Sequence, residues 1–138
     1  MADIKHSETH ANLRNAFARE AQNIHRYRYF AKMADVEGCP QAASAFRDIA
    51  EGIVGHAHGH MDFLREVGDP ITDGPIRETS ENLQAALTSE TSASQALYPK
   101  MAQTAREEGF PLIASWFDNL AHAKGSHASR FSDENEAL

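Results

Sequence analysis

Apolar residues recur in alternating steps of three and four along four stretches of the chain. This period predicts helices over about 9–36, 41–66, 80–107 and 111–131. The first stripe reads Leu13, Phe17, Glu20, Ile24, Tyr27, Ala31 and Ala34. The second reads Ala42, Phe46, Ile49, Ile53, His56, His60 and Phe63. The third runs through Leu83, Ala86, Glu90, Ala93, Leu97, Met101 and Thr104, and the fourth through Ile113, Phe117, Leu120, Lys124, His127 and Phe131. No segment alternates with the period of two that a half-buried strand requires. The pattern predicts an all-α four-helix bundle.

The chain also repeats itself. Glu8, Thr9, Asn12, Leu13, Ala16 and Glu20 recur seventy residues later as Glu78, Thr79, Asn82, Leu83, Ala86 and Glu90. From Tyr27 onward the offset is seventy-one, so that Tyr27, Gly38, Pro40, Phe46 and His56 meet Tyr98, Gly109, Pro111, Phe117 and His127. Two helical hairpins of related sequence follow from this, with one extra residue between Glu90 and Tyr98. Such an insertion is commonly absorbed as a π-bulge, and Pro99 would bend the same helix. Thr9 and Thr79 are candidate N-caps. Gly38 and Gly109 are helix stops, each followed two residues later by proline. The long connection is Val67–Glu78, and the acidic tail SDENEAL is expected to fray.

The interruptions of the stripes carry the chemistry. Glu20, His56, Glu90, Lys124 and His127 fall on inward positions near the middle of their helices. An unpaired buried charge costs several kcal/mol, on the order of a whole core side chain, so these groups are expected to meet one another. Di-iron carboxylate bundles take one Glu from each of two helices and a Glu-x-x-His pair from each of the other two. Residues i and i+3 share a helix face and reach one metal together. Here Glu20 and Glu90 fit the single positions, but the pairs read Ile53-x-x-His56 and Lys124-x-x-His127.

The stretches EAQNIHRYRYFAKMADVEG, AEGIVGHAHGH, ENLQAALTSET, LYPKMAQTAREEGF and WFDNLAHAKGSHASRF resemble the rubrerythrin family over about residues 9–131. The resemblance implies a ferritin-like bundle made of two hairpins joined by a long connection. It also implies iron and peroxidase-type oxidoreductase activity with an external electron donor. Members often carry a rubredoxin domain, whose paired cysteines this sequence lacks. By resemblance, Glu20, His56, Glu90 and His127 match iron-ligand positions. Ile53 and Lys124 stand where the family has bridging glutamates, and Ala93 stands where it has a further glutamate. Tyr27 and Tyr98 match tyrosines that hydrogen-bond to iron-site glutamates. Relatives often dimerise, sometimes by exchanging a hairpin, so a homodimer is expected, swapped or unswapped.

Two carboxylates and two imidazoles offer little negative charge to two cations. Three occupancies stay open: an altered di-iron site, a single transition metal on Glu20, His56, Glu90 and His127, and a metal-free cluster in which the Lys124 ammonium replaces the metals. The corresponding functions are a metal-dependent oxidoreductase acting on peroxide or oxygen, and a non-peroxidase accessory or binding protein. A carbamylated Lys124 would restore one bridging carboxylate.

Composition narrows the field further. Net charge is −7, which excludes the basic footprint of a nucleic-acid binder. No apolar run approaches the roughly 18 residues of a membrane span, and no secretory leader is legible, so a cytoplasmic location is expected. The length of 138 residues predicts one domain, 1–138. Cys39 is the single cysteine and forms no intrachain disulfide. In the tract HAHGH, His56 and His60 share a face and form an alternative metal pair. His6, His10, His25 and His122 are read as solvated, and Gly52, Gly55 and Gly59 as an edge that another helix approaches closely.

Overall fold

The computed structural model describes residues 3–138. Among these the protein is all-α, without strands. Helix α1 spans Glu8–Val36 and α2 spans Pro40–Leu64. Helix α3 spans Thr79–Ser92, a π-helical turn covers Ala93–Leu97, α4 spans Tyr98–Glu107 and α5 spans Pro111–Glu136. The chain divides into two compact units, Met1–Pro70 and Ile71–Leu138. Each is a helical hairpin: α1 packs on α2, and the run α3–π-turn–α4 packs on α5. None of the described helices is long and apolar enough to cross a membrane.

Both hairpins turn in the same way. Gly38 and Gly109 have φ of +77° and +87°, a left-handed conformation that costs glycine little. The N–H of Cys39 bonds to the Ala34 carbonyl at 2.8 Å, and that of Phe110 bonds to Ala105 at 2.7 Å. The Gly38 and Gly109 amides bond to Asp35 and Arg106. These paired bonds satisfy the orphan carbonyls of a helix end. Pro40 and Pro111 then start the next helix, where a missing N–H costs nothing.

The helix starts differ from the sequence expectation. Ser7, not Thr9, caps α1, its hydroxyl accepting from the His10 N–H at 3.1 Å. Glu78, not Thr79, caps α3 in a reciprocal box with Glu81, whose Oε1 accepts from the Glu78 N–H at 3.1 Å. The tail does not fray at residue 131: α5 continues to Glu136.

The seam between helices is built largely of alanine. In the first hairpin Ala31, Ala34, Ala43, Ala50 and Ala57 are buried, and in the second Ala102, Ala105 and Ala114. Small side chains let the two backbones approach closely, while Phe46, Ile24 and Ile53 fill the space beside them. The buried face of α2 therefore runs Ala43, Phe46, Ala50, Ile53, Ala57 and Leu64, one residue round from the stripe marked by its large apolar residues. Ala42, Ile49, His56 and Phe63 are exposed.

One ion pair recurs in both halves with its polarity reversed. Asp35 pairs with Arg47 across the first turn, and Arg106 pairs with Asp118 across the second. Arg106 stands at the repeat position of Asp35, and Asp118 at that of Arg47.

Two predictions follow from this packing. Arg47→Asp places two half-exposed carboxylates together and is expected to lower stability by about 0.5–1 kcal/mol. Adding Asp35→Arg should restore it; thermal denaturation of a double variant no more stable than the single one would remove the pair from the hairpin's stability. A Cβ at Gly52, Gly55 or Gly59 meets no described atom within 4 Å, so the helix that packs on α2 in its own hairpin does not use this edge. Gly52→Ala is expected to stabilise by about 1 kcal/mol through helix propensity. Chemical denaturation showing a loss instead would mean that another surface covers this edge.

Candidate functional site

Each hairpin brings part of the expected site together. In the first, α1 carries Glu20 and α2 carries His56, and the Glu20 Oε2 lies 3.0 Å from the His56 Nδ1. Glu20 is largely buried, whereas the His56 ring is exposed. Ile53, one turn before His56, is buried against Ile24 and Ala57 with Phe17 beside them. An alkyl group thus fills the space next to the imidazole on the α1-facing side.

In the second hairpin α3 carries Glu90, and α5 carries Lys124 and His127. The Lys124 Nζ donates to the Glu90 Oε1 at 3.2 Å and lies 3.1 Å from Oε2. Only Oε1 receives a well-directed hydrogen bond; the buried Oε2 receives none. The His127 Nδ1 is 3.6 Å from Oε2, beyond hydrogen-bond reach. Side-chain exposures of 18% for Glu90 and 28% for Lys124 make this a partly buried pair. It is therefore screened less by solvent than the turn ion pairs.

Glu90 sits one turn before the π-helical turn. Ala93 opens that turn and is buried. The extra residue of the repeat is thus accommodated inside the helix, immediately after the site glutamate. Pro99 lies just beyond, in the first turn of α4. Ser94, the next residue of the π-turn, donates its hydroxyl to the Ala121 carbonyl of α5 at 2.7 Å.

Tyr27 and Tyr98 are half-buried and contact repeat-related phenylalanines. Their rings lie 6.1 Å from Phe46 and 5.9 Å from Phe117. Within its own hairpin neither hydroxyl is hydrogen-bonded to Glu20 or Glu90. His60 is half-buried and His58 exposed. His10 is not solvated: it is 4% exposed, and its Nδ1 accepts from the His6 N–H at 3.1 Å. The signal for this was local, a serine three residues before a histidine at a helix start. His6, His25 and His122 are exposed.

Among the described residues no three of His, Cys, Asp and Glu converge. Each hairpin supplies one carboxylate and one imidazole. In the second hairpin a cation already contacts both carboxylate oxygens. Bridging two hard cations needs anionic oxygens, and Ile53, Ala93 and Lys124 supply none.

Comparison with known proteins gives the ancestry. The family model described as rubrerythrin matches residues 11–135. A rubrerythrin of Porphyromonas gingivalis is 39% identical, over 93% of this chain and 66% of its own length. A rubrerythrin of Nitratidesulfovibrio vulgaris is 35% identical, over 96% of this chain and 72% of its own length. One from Clostridium perfringens is 34% identical, over 95% and 71%. A chain with this duplicated helical hairpin, matched over residues 11–135, belongs to the rubrerythrin family.

Proposed function

We propose that this protein is a rubrerythrin-family member without peroxidase activity, acting as an accessory or binding protein in the cytoplasm. The Lys124 ammonium supplies the positive charge that a metal would otherwise bring to Glu90. The observation that carries this reading is the contact of Nζ with both oxygens of Glu90. A cation bound to the same carboxylate would lie close to Nζ, and even two unit charges about 4 Å apart repel by roughly 4 kcal/mol at an effective dielectric near 20. Ile53 and Ala93 remove two further oxygen donors.

A second reading has the family's activity persisting on an altered metal site built from Glu20, His56, Glu90 and His127. Its support is the name carried by the relatives, together with a buried Glu90 Oε2 that lacks a directed hydrogen bond.

Metal analysis separates the two. Protein produced with iron in excess is expected to contain well under one iron per chain and to show no peroxide turnover. Its melting temperature should be unchanged by chelation. Stoichiometric iron with turnover would replace the first reading by the second. The variant Ile53→Glu with Lys124→Glu restores two oxygen donors and removes the cation, and is expected to gain iron. If it stays metal-free while remaining helical, the ancestral-site account of these positions fails.

The same reading includes a homodimer. Ile49, Phe63, Leu97, Met101, Ile113 and Trp116 are large, apolar and exposed. Exposed apolar surface on this scale favours association. Light scattering at micromolar concentration is expected to give twice the 15.2 kDa chain mass; a monomer with Trp116 solvated in fluorescence would end the dimer proposal.

A further inference from the structure

The π-turn of the second hairpin touches α5 at a matched pair of residues, Ser94 and Gly125. The Ser94 hydroxyl donates to the Ala121 carbonyl at 2.7 Å. A Cβ built on Gly125 would lie 3.1 Å from the Ser94 Oγ, tighter than ordinary van der Waals contact. The other helical glycines, Gly52, Gly55 and Gly59, have open space at that position. Gly125 is thus the helical glycine whose missing side chain is used. The serine oxygen cannot move aside to admit a methyl group without loosening its bond to Ala121.

Because the helices are antiparallel, a step backward along α3 is a step forward along α5. Ser94 lies opposite Ala121 and Gly125. One turn earlier on α3, Glu90 meets Lys124, the residue before Gly125. The first hairpin has no such clasp: Ser94 falls against Asn23 or Ile24 of the repeat and Gly125 against Val54, and α1 runs through without a π-turn.

We infer that Ser94 and Gly125 form a clasp that fixes the π-turn against α5 and so holds the Glu90 carboxylate on the Lys124 ammonium. Both are positioning residues. Ser94 supplies the bond that sets the axial register of α3 on α5. Gly125 supplies the room for that bond. Ser94 is the second residue of the π-turn, so the bond to α5 is made where the extra residue of the helix is accommodated. The inference goes beyond the functional reading above: it rests on the Glu90–Lys124 contact and holds whatever the metal content of the protein.

The test is a double-mutant cycle on the full chain, using wild type, Ser94→Ala, Gly125→Ala and the double variant. Two readouts are taken at one fixed pH: the melting temperature and the side-chain carboxyl 13C resonance of Glu90, with Glu81 as internal reference. Gly125→Ala alone is expected to lower the melting temperature, although alanine is the better helix former. In the Ser94→Ala background the same substitution is expected to raise it. This sign reversal is the signature of direct coupling. Ser94→Ala is expected to move the Glu90 resonance while leaving Glu81 in place. Equal effects of Gly125→Ala in both backgrounds would overturn the clasp. An unmoved Glu90 resonance in Ser94→Ala would overturn its link to the ion pair, and this arm stands even if Gly125→Ala fails to fold.

Discussion

Close approach of two antiparallel helices along a seam of alanines is the constraint from which the rest of each hairpin follows. Ala31, Ala34, Ala43, Ala50 and Ala57 in one half, and Ala102, Ala105 and Ala114 in the other, leave little between the backbones. At that separation a glutamate on one helix reaches a histidine or lysine on its neighbour without being fully extended. The short contacts Glu20–His56 and Glu90–Lys124 are products of the seam as much as of their own charges. The same closeness makes the space beside Gly125 matter, because a single methyl group there competes with a hydrogen bond.

The two halves have used this scaffold differently. The first keeps an uninterrupted α1, a carboxylate–imidazole pair and a buried isoleucine where an anionic donor is expected by kinship. The second has a bulged helix and a carboxylate held by an ammonium. In both, the glutamate is the more buried partner and the histidine the more exposed one. A buried carboxylate is stable only with a positive or hydrogen-bonding neighbour. For Glu90 that neighbour is the ammonium of Lys124 on the adjoining helix.

Much of the architecture was legible in the sequence because it depends on period and punctuation. The repeat located the hairpins, and the offset change between Glu90 and Tyr98 located the π-turn to within a few residues. The glycine–proline pairs located both turns. The seam of α2 against α1 escaped the reading, because pattern reading weights large apolar residues whereas the seam is formed by small ones. The caps were missed for a similar reason: Thr9 and Thr79 have the right chemistry, but Ser7 and Glu78 have the geometry. The burial of His10 depends on a backbone turn at His6 that no periodicity encodes. The ion pair of Glu90 with Lys124 was legible as a need for partners. The Ser94–Gly125 contact was not, since neither residue lies on an apolar stripe or recurs in the repeat.

The reversed polarity of the turn ion pairs has a consequence for how the chain sorts its own helices. Since the halves are related, α1 and α4 present nearly interchangeable alanine faces to α2 and α5. A mismatched hairpin of α1 with α5 would set Asp35 beside Asp118, and one of α4 with α2 would set Arg106 beside Arg47. Cognate pairing is therefore electrostatically distinguished from crossed pairing at the turn of each hairpin. A nascent chain whose first hairpin has closed is, by this mark, poorly disposed to exchange it for a helix emerging later.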